Sequence, residues 1–179
     1  GASAEAWAVT LQSDGRILVA GNSYNGINTD FALVRYNSDG SPDTGFGTNG
    51  AAITSASSGH DYANSLLLQP DGKLVVAGEA SNAFLMLRYD SSGALDTTFS
   101  GDGIATARFG SSAYAQQNAR HVANAVALQG DGKLLAAGYT CGTVTSNDTC
   151  GETDVAVARY NSDGTLDSNF GTAGLFMGK

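Results

Sequence analysis

The chain has 179 residues, of which 42% are hydrophobic and only 15% charged, and its net charge at neutral pH is −8. A chain of this length can form one domain with its own core. Its nine lysines and arginines do not cluster, which argues against nucleic acid or an anionic membrane surface as a partner. No apolar stretch approaches the ~20 residues of a membrane-spanning helix, so we predict no membrane span.

The two cysteines, Cys141 and Cys150, lie in one polar segment. Two thiols without a nearby histidine make a poor zinc site, so we predict a disulfide that closes this loop. A disulfide and an acidic composition together favour an oxidising compartment. The chain begins with glycine, which indicates a mature, excised or tagged product. The expected location is extracellular or at the cell surface, with the periplasm as an alternative.

Three copies of one unit follow each other along the chain, at about residues 6–61, 62–121 and 122–179. Each copy has an apolar stretch that ends in glutamine, followed by an Asp-Gly turn and a second apolar stretch. Asp-Gly in this setting is a strong signal for a β-hairpin, because both central residues can adopt positive φ. A third apolar stretch, a glycine-containing turn and a short fourth stretch complete the unit. The pattern therefore predicts four strands per copy.

Several of these strands are continuously apolar, such as Leu74–Ala77 and Phe84–Leu87. Such strands indicate sheets that are buried on both faces, which is typical of β-propeller blades. We therefore predict an all-β repeat domain over residues 1–179, a β-propeller with three four-stranded antiparallel blades. Closed propellers have at least four blades, so we expect completion to six by homodimerisation or by a longer parent chain. A β-trefoil, which also has three four-stranded units, is the alternative.

The repeated residues also resemble a known family. The motif that runs from Leu68 to Gly78, and continues from Arg88 to Gly103, is similar to the delta-60 repeat of bacterial secreted and surface proteins. The resemblance covers nearly the whole chain, and one difference is that Ser100 stands in place of a glycine. It implies a β-propeller fold. It does not assign any activity to the chain, because the roles of the family are largely unassigned.

The copies differ mainly in the loops after the second and fourth strands, which strand alternation places at one end of the blades. We select five candidate ligand-binding residues from these loops, namely Tyr24, His60, Tyr114, His121 and Tyr139. Variable loops on a rigid scaffold are typical of binding proteins. We therefore predict a non-catalytic scaffold or adhesion module that presents these loops to a glycan or protein ligand. We predict no cofactor, no metal site and no catalytic residue.

Two other functions stay open from the sequence. A propeller hydrolase or lactonase would use His60 and His121, which are interpreted as lying in corresponding linkers, with Asp61 or Glu79 as a partner. The chain has no nucleophile-elbow, zinc-protease or phosphate-loop motif to support that function. The third possibility is a purely structural repeat that self-assembles.

The turn after each third strand has two further interpretations. The segment from Asn37 to Asp43 resembles a calcium loop, but the positions that need carboxylates hold Arg35 and Phe46. We therefore interpret the aspartates as turn residues. The recurring arginine and the aspartate eight residues later are expected to form an ion pair across the turn, with tyrosine and phenylalanine filling the space between blades.

Overall fold

The computed structural model describes residues 3–110, 119–141 and 150–178, which form β-strands and no helix. The strands are β1 (Ala4–Leu11), β2 (Ile17–Tyr24), β3 (Thr29–Tyr36), β4 (Ala51–Thr54), β5 (Asp61–Leu68), β6 (Leu74–Ala80), β7 (Ala83–Tyr89), β8 (Ile104–Ala107), β9 (Arg120–Leu128), β10 (Leu134–Cys141), β11 (Thr153–Tyr160) and β12 (Leu175–Gly178). Within these residues, no helix is long and apolar enough to cross a membrane.

The strands form three antiparallel sheets, each with its four strands in sequence order. We call them blade 1 (β1–β4), blade 2 (β5–β8) and blade 3 (β9–β12). The predicted all-β architecture of three four-stranded units is therefore confirmed. Each first hairpin turns through an Asp-Gly pair, and Gly15 adopts a φ of 86° that the turn requires.

The blades pack face to face, with blade 2 in the middle. Every residue of β6 and β7 is buried, as their continuous apolarity predicted. One apolar core contains residues of blades 1 and 2, and a second contains residues of blades 2 and 3. The first strands of blades 2 and 3 also contact each other, since Asn64 donates a hydrogen bond of 3.0 Å to the carbonyl of Ala123. These interfaces hold the loops at fixed positions.

The connections within the blades gather at two ends. At one end, the β1–β2 and β3–β4 connections contact each other through an ion pair of 3.2 Å between Arg16 and Asp43. We call this the constant end, because blades 2 and 3 repeat the contact with Lys73–Asp96 and Lys133–Asp167. At the other end, which we call the variable end, the β2–β3 and β4–β5 connections contact each other, since Asn28 donates a hydrogen bond of 2.7 Å to the carbonyl of Gly59.

Candidate functional site

An open cleft of about 280 Å³ lies at the variable end, where blades 2 and 3 meet. Its lining residues come from the linker before β5, from β5 itself, from β6 and the turn that follows it, and from the start of β9. They are Gly59, His60, Tyr62, Glu79, Ser81, Asn82 and Arg120. The lining is polar and aromatic rather than aliphatic, which suits a ligand that carries many hydroxyl or amide groups.

An ion pair between Arg120 and Glu79 forms one wall of this cleft and joins blade 3 to blade 2. The Arg120 Nε donates to Glu79 Oε2 at 2.8 Å, and Nη2 donates to Oε1, so the contact is bidentate. Glu79 is buried, while the Arg120 side chain is 26% exposed. The pair therefore holds a partly exposed guanidinium in a fixed orientation in the cleft lining.

The neighbouring part of the lining is an aromatic surface, because Tyr62 is the strand partner of Glu79. The rings of His60 and Tyr62 stack with a centroid distance of 6.1 Å and an interplanar angle of 16°. The amide N–H of Thr29 donates to His60 Nδ1 at 3.2 Å. The Thr29 hydroxyl lies 3.1 Å from the same nitrogen. This contact fixes the ring of His60 against the loop of blade 1.

Tyr62 also lines a second open cleft, of about 230 Å³, on the side of blade 1. The other residues of this cleft are Ser3, Glu5, Asn22, Tyr24 and Thr29. Tyr62 is shared by the linings of both clefts. We call the two clefts together the variable-end groove.

The rim of the groove includes a tight turn between β6 and β7. Its two residues, Ser81 and Asn82, have φ values of 48° and 59°. This is the geometry of a two-residue hairpin turn, which glycine and asparagine adopt readily and serine does not. The Ser81 carbonyl also accepts a hydrogen bond of 3.0 Å from Arg108, which ties this turn to the segment after β8.

Three of the five predicted ligand-binding residues lie on the groove or beside it. Tyr24 lines the second cleft, and its hydroxyl donates to the carbonyl of Gly26 at 2.9 Å. His60 lines the first cleft. Tyr139 is partly buried on β10, where burial raises the pKa of its hydroxyl while the charge of Arg120 opposes that shift. Tyr114 lies outside the described residues.

The structure does not pair His121 with His60, and the expectation that both lie in corresponding linkers is wrong. His121 lies within β9, is 0% exposed, contacts Thr140 Oγ1 through Nδ1 at 2.6 Å and packs against Phe109. The pairing of the first two strands shows which residues of blades 2 and 3 are equivalent. His121 occupies the position of Asp61, and Arg120 occupies the position of His60. A shift of one residue reverses the face of a strand, so one histidine is exposed and the other is buried.

The carboxylates that we considered for a hydrolase have structural partners. Asp61 is 0% exposed and accepts hydrogen bonds from the backbone N–H groups of Ala56 and Ser57, at 2.7 and 3.1 Å. Glu79 pairs with Arg120 rather than with a histidine. These contacts orient the linker and the cleft wall, and neither carboxylate is placed as a base next to His60.

The two cysteines lie at either side of residues 142–149, which are outside the described residues. Cys141 is buried at the end of β10, and Cys150 is half-buried just before β11. The disulfide between them stays a prediction.

At the constant end, the predicted pairing of arginine and aspartate is confirmed in every blade. The pairs are Arg35–Asp43, Arg88–Asp96 and Arg159–Asp167, with distances of 2.8, 2.7 and 2.8 Å. Each arginine also lies over a phenylalanine ring of the same blade.

In the calcium-like segment, Asp39 accepts from the N–H and the hydroxyl of Ser41, as expected for a turn residue. No group of three potential metal-ligating side chains occurs among the described residues.

A larger open space, of about 650 Å³, lies away from the variable-end groove. It is a wedge between β4 of blade 1 and the turn after β7 of blade 2, and its lining includes Tyr89 and Leu95. The space follows from the way two blades diverge towards their outer strands. Its walls are mostly backbone and small side chains, so we place the candidate site in the groove instead.

Tandem four-stranded antiparallel sheets that pack face to face, with variable loops at one end, define a β-propeller protein. The chain matches the family described as "Domain of unknown function (DUF5122) beta-propeller" over residues 12–46, 69–99 and 129–170, one segment in each blade. These segments cover more than half of the chain, which therefore belongs to this family. No curated protein matches the chain.

Proposed function

We propose that this chain is a non-catalytic binding module whose variable-end groove binds a glycan. The observation that carries the proposal is the groove itself, where a stacked His60–Tyr62 surface lies beside the Arg120–Glu79 pair in one cleft lining. Aromatic faces pack against the C–H groups of sugar rings, and charged side chains form strong hydrogen bonds with hydroxyl groups. The modest size of each cleft fits single sugar units better than a bulky apolar ligand.

The proposed setting is the outside of a bacterial cell. The acidic composition, the predicted disulfide and the resemblance to the delta-60 repeat support it. The propeller supplies a rigid frame, because blade 2 is buried on both faces and both of its neighbours pack against it. A protein ligand is the other occupant that the same groove can accept.

A glycan array tests the proposal. We expect the labelled chain to bind a defined set of glycans, and Tyr62→Ala to weaken that binding by at least about tenfold, which corresponds to about 1.4 kcal/mol. The matched control is Tyr36→Ala, which removes an aromatic ring from the constant end of blade 1. Equal effects of the two substitutions would contradict a site at the groove.

Two other results would also contradict the proposal. The first is a chain that binds no glycan but captures a protein, which would assign the groove to a protein ligand. The second is hydrolysis of an ester or lactone that is lost in His60→Ala, which would assign the groove to an enzyme.

A further inference from the structure

Neighbouring blades are joined at the constant end by a contact that occurs twice in the chain. Arg35 of blade 1 donates through Nη1 to the carbonyl of Ser91 in blade 2, at 2.7 Å. Arg88 of blade 2 donates in the same way to the carbonyl of Ser162 in blade 3, at 2.5 Å. Each arginine therefore reaches from its own blade to the turn after the third strand of the next blade.

A phenylalanine completes each of these contacts. The ring of Phe46 lies so close to Gly93 of the next blade that a Cβ there would be 2.9 Å from it, and Phe99 approaches Gly164 equally closely. Both phenylalanine side chains are 0% exposed. We call the arginine and phenylalanine of one blade the plug, and the glycine turn of the next blade the socket.

Blade 3 carries a plug that has no socket among the described residues. Arg159 lies over Phe170 at 4.6 Å, as the other arginines lie over their rings at 4.5 Å. The Arg159 side chain is 22% exposed, compared with 10% for Arg35 and 6% for Arg88. Phe170 is only half-buried. The plug is thus assembled but not covered.

Blade 1 carries a socket that has no plug among the described residues. Gly40 occupies the position of Gly93 and Gly164 and has a similar φ of 86°. It is exposed, and a Cβ added to it would meet nothing within 4 Å. Ser38 occupies the position of Ser91, so the carbonyl that would accept from an arginine is present as well.

The apolar faces of the two outer blades agree with this reading. Val9 and Leu11 of β1 are each 67% exposed, whereas Leu66 and Leu68, at the same positions of β5, pack against blade 1. On blade 3, Val155 is 55% exposed, although the equivalent side chains of blades 1 and 2 are buried. Each uncovered face therefore holds apolar side chains at positions that are packed against a neighbouring blade elsewhere in the chain.

We propose that two copies of this chain bind head to tail, with Arg159 and Phe170 of one copy seated on the Gly40 turn of the other. A second copy is the occupant because this chain carries both halves of the contact. Since closed propellers typically have between about four and eight blades, two copies of three blades are the assembly that closes. The twofold axis then coincides with the propeller axis, and both contacts are identical.

Light scattering coupled to size-exclusion chromatography gives the first test. We expect the unaltered chain to have twice the 18.2 kDa mass of one chain at micromolar concentration. A monodisperse monomer would overturn the proposal, because the plug would then need another binding partner, such as a further blade. Open-ended growth with concentration would overturn the closed ring.

Substitutions in the plug and in the socket give the second test. We expect Phe170→Ala to weaken dimerisation roughly 1,000-fold, because it removes a central aromatic side chain from two contacts at once. Gly40→Asn is expected to do the same by filling the socket, since asparagine tolerates positive φ. Gly26→Asn is the matched control, because Gly26 also has positive φ and open space but lies at the variable end.

Mixing the two variants distinguishes this arrangement from a dimer that pairs like surfaces. A Phe170→Ala copy keeps its socket and a Gly40→Asn copy keeps its plug, so a mixed pair retains one intact contact. We expect the mixture to dimerise more tightly than either variant alone. No gain on mixing, or dimers that neither substitution weakens, would overturn the head-to-tail contact.

Discussion

At the constant end, an arginine, an aspartate and a phenylalanine take the same arrangement in all three blades. At the variable end, the corresponding position at the top of the second strand holds Asn22, Glu79 and Tyr139, one in each blade. Asn22 accepts a hydrogen bond from the backbone of Ala63, whereas Glu79 pairs with Arg120. One end therefore repeats a single contact, and the other uses a different contact at each blade.

The difference follows from what each end must do. The constant end fixes the spacing of one blade on the next, so the same side chains recur wherever one blade meets another. The variable end needs only enough contacts to hold its loops, which leaves its side chains free to differ. A binding surface is expected at the end that differs, because a ligand does not repeat with the period of the fold.

The largest effect that we expect from this comparison is on stability. Arg88 and Asp96 are 5% and 9% exposed, so Arg88→Ala removes one partner of a buried pair and also the bond to Ser162. We expect the free energy of unfolding to fall by about 3 kcal/mol. Arg108→Ala, at the variable end, is expected to cost much less, because Arg108 is exposed and its bond to the Ser81 carbonyl leaves no buried charge unpaired. Urea denaturation at one fixed protein concentration measures both.

Equal losses for Arg88→Ala and Arg108→Ala would contradict the assignment of the constant end as the stabilising one. Arg88→Lys is a useful companion variant, because it keeps the charge but cannot reach Asp96, Ser162 and Phe99 in the planar geometry of a guanidinium. We expect it to recover only part of the loss.

The second prediction concerns pH. Burial acts to raise the pKa of Asp96, but hydrogen bonds from Thr98 and Lys73, together with the charge of Arg88, outweigh it and hold that pKa well below its usual value. A carboxylate whose pKa is lowered by folding stabilises the folded state above its unfolded pKa of about 4, and this contribution is lost as pH falls towards the folded pKa. The free energy of unfolding should therefore decrease below about pH 4.

The variant Asp96→Asn separates this carboxylate from the others. We expect it to lower the free energy of unfolding by about 2 kcal/mol at pH 7, and by progressively less as the solution is acidified. Urea denaturation from pH 7 to pH 2 measures the difference. A difference that stays constant with pH would contradict the role of the Asp96 charge.

The constant end was predictable from the sequence and most of the variable end was not, for a physical reason. Recurrence at a fixed spacing identified the Arg–Asp pairs, since three copies of one contact leave three copies of one motif. The Glu79–Arg120 pair occurs once and joins residues of different blades, so no pattern in the chain marks it. Tyr62 was missed for the same reason.

The error on His121 has a more specific origin. His60 and His121 are 61 residues apart, whereas Gln69 and Gln129, which directly follow β5 and β9, are 60 apart. Counting back from the glutamines would have matched His60 with Arg120, which the structure places in the same cleft. In a strand, an offset of one residue is enough to exchange an exposed position for a buried one.

The smallest change in stability that we expect concerns a tyrosine that recurs in the blades and a neighbouring residue that differs from one blade to the next. The hydroxyls of Tyr89 and Tyr160 are both buried between blades, and Tyr89 bonds to Thr54 Oγ1 at 2.8 Å. The position of Thr54 in the next blade holds Ala107, and the Tyr160 hydroxyl has no hydrogen-bond partner among the described residues. We expect Tyr89→Phe to lower the free energy of unfolding by about 1 kcal/mol, and Tyr160→Phe to leave it unchanged or raise it.

The converse substitution sharpens this contrast. Ala107→Thr places a hydroxyl where the equivalent residue of blade 1 has one, so it should stabilise the unaltered chain but not the chain that carries Tyr160→Phe. The difference between these two backgrounds in urea denaturation isolates the new hydrogen bond from the added methyl group. Equal losses for Tyr89→Phe and Tyr160→Phe would contradict the account, because burial would then matter more than the bond. An unequal result would show that the repeat conserves the tyrosine for its ring and that the hydroxyl contributes only where the neighbouring blade supplies a partner.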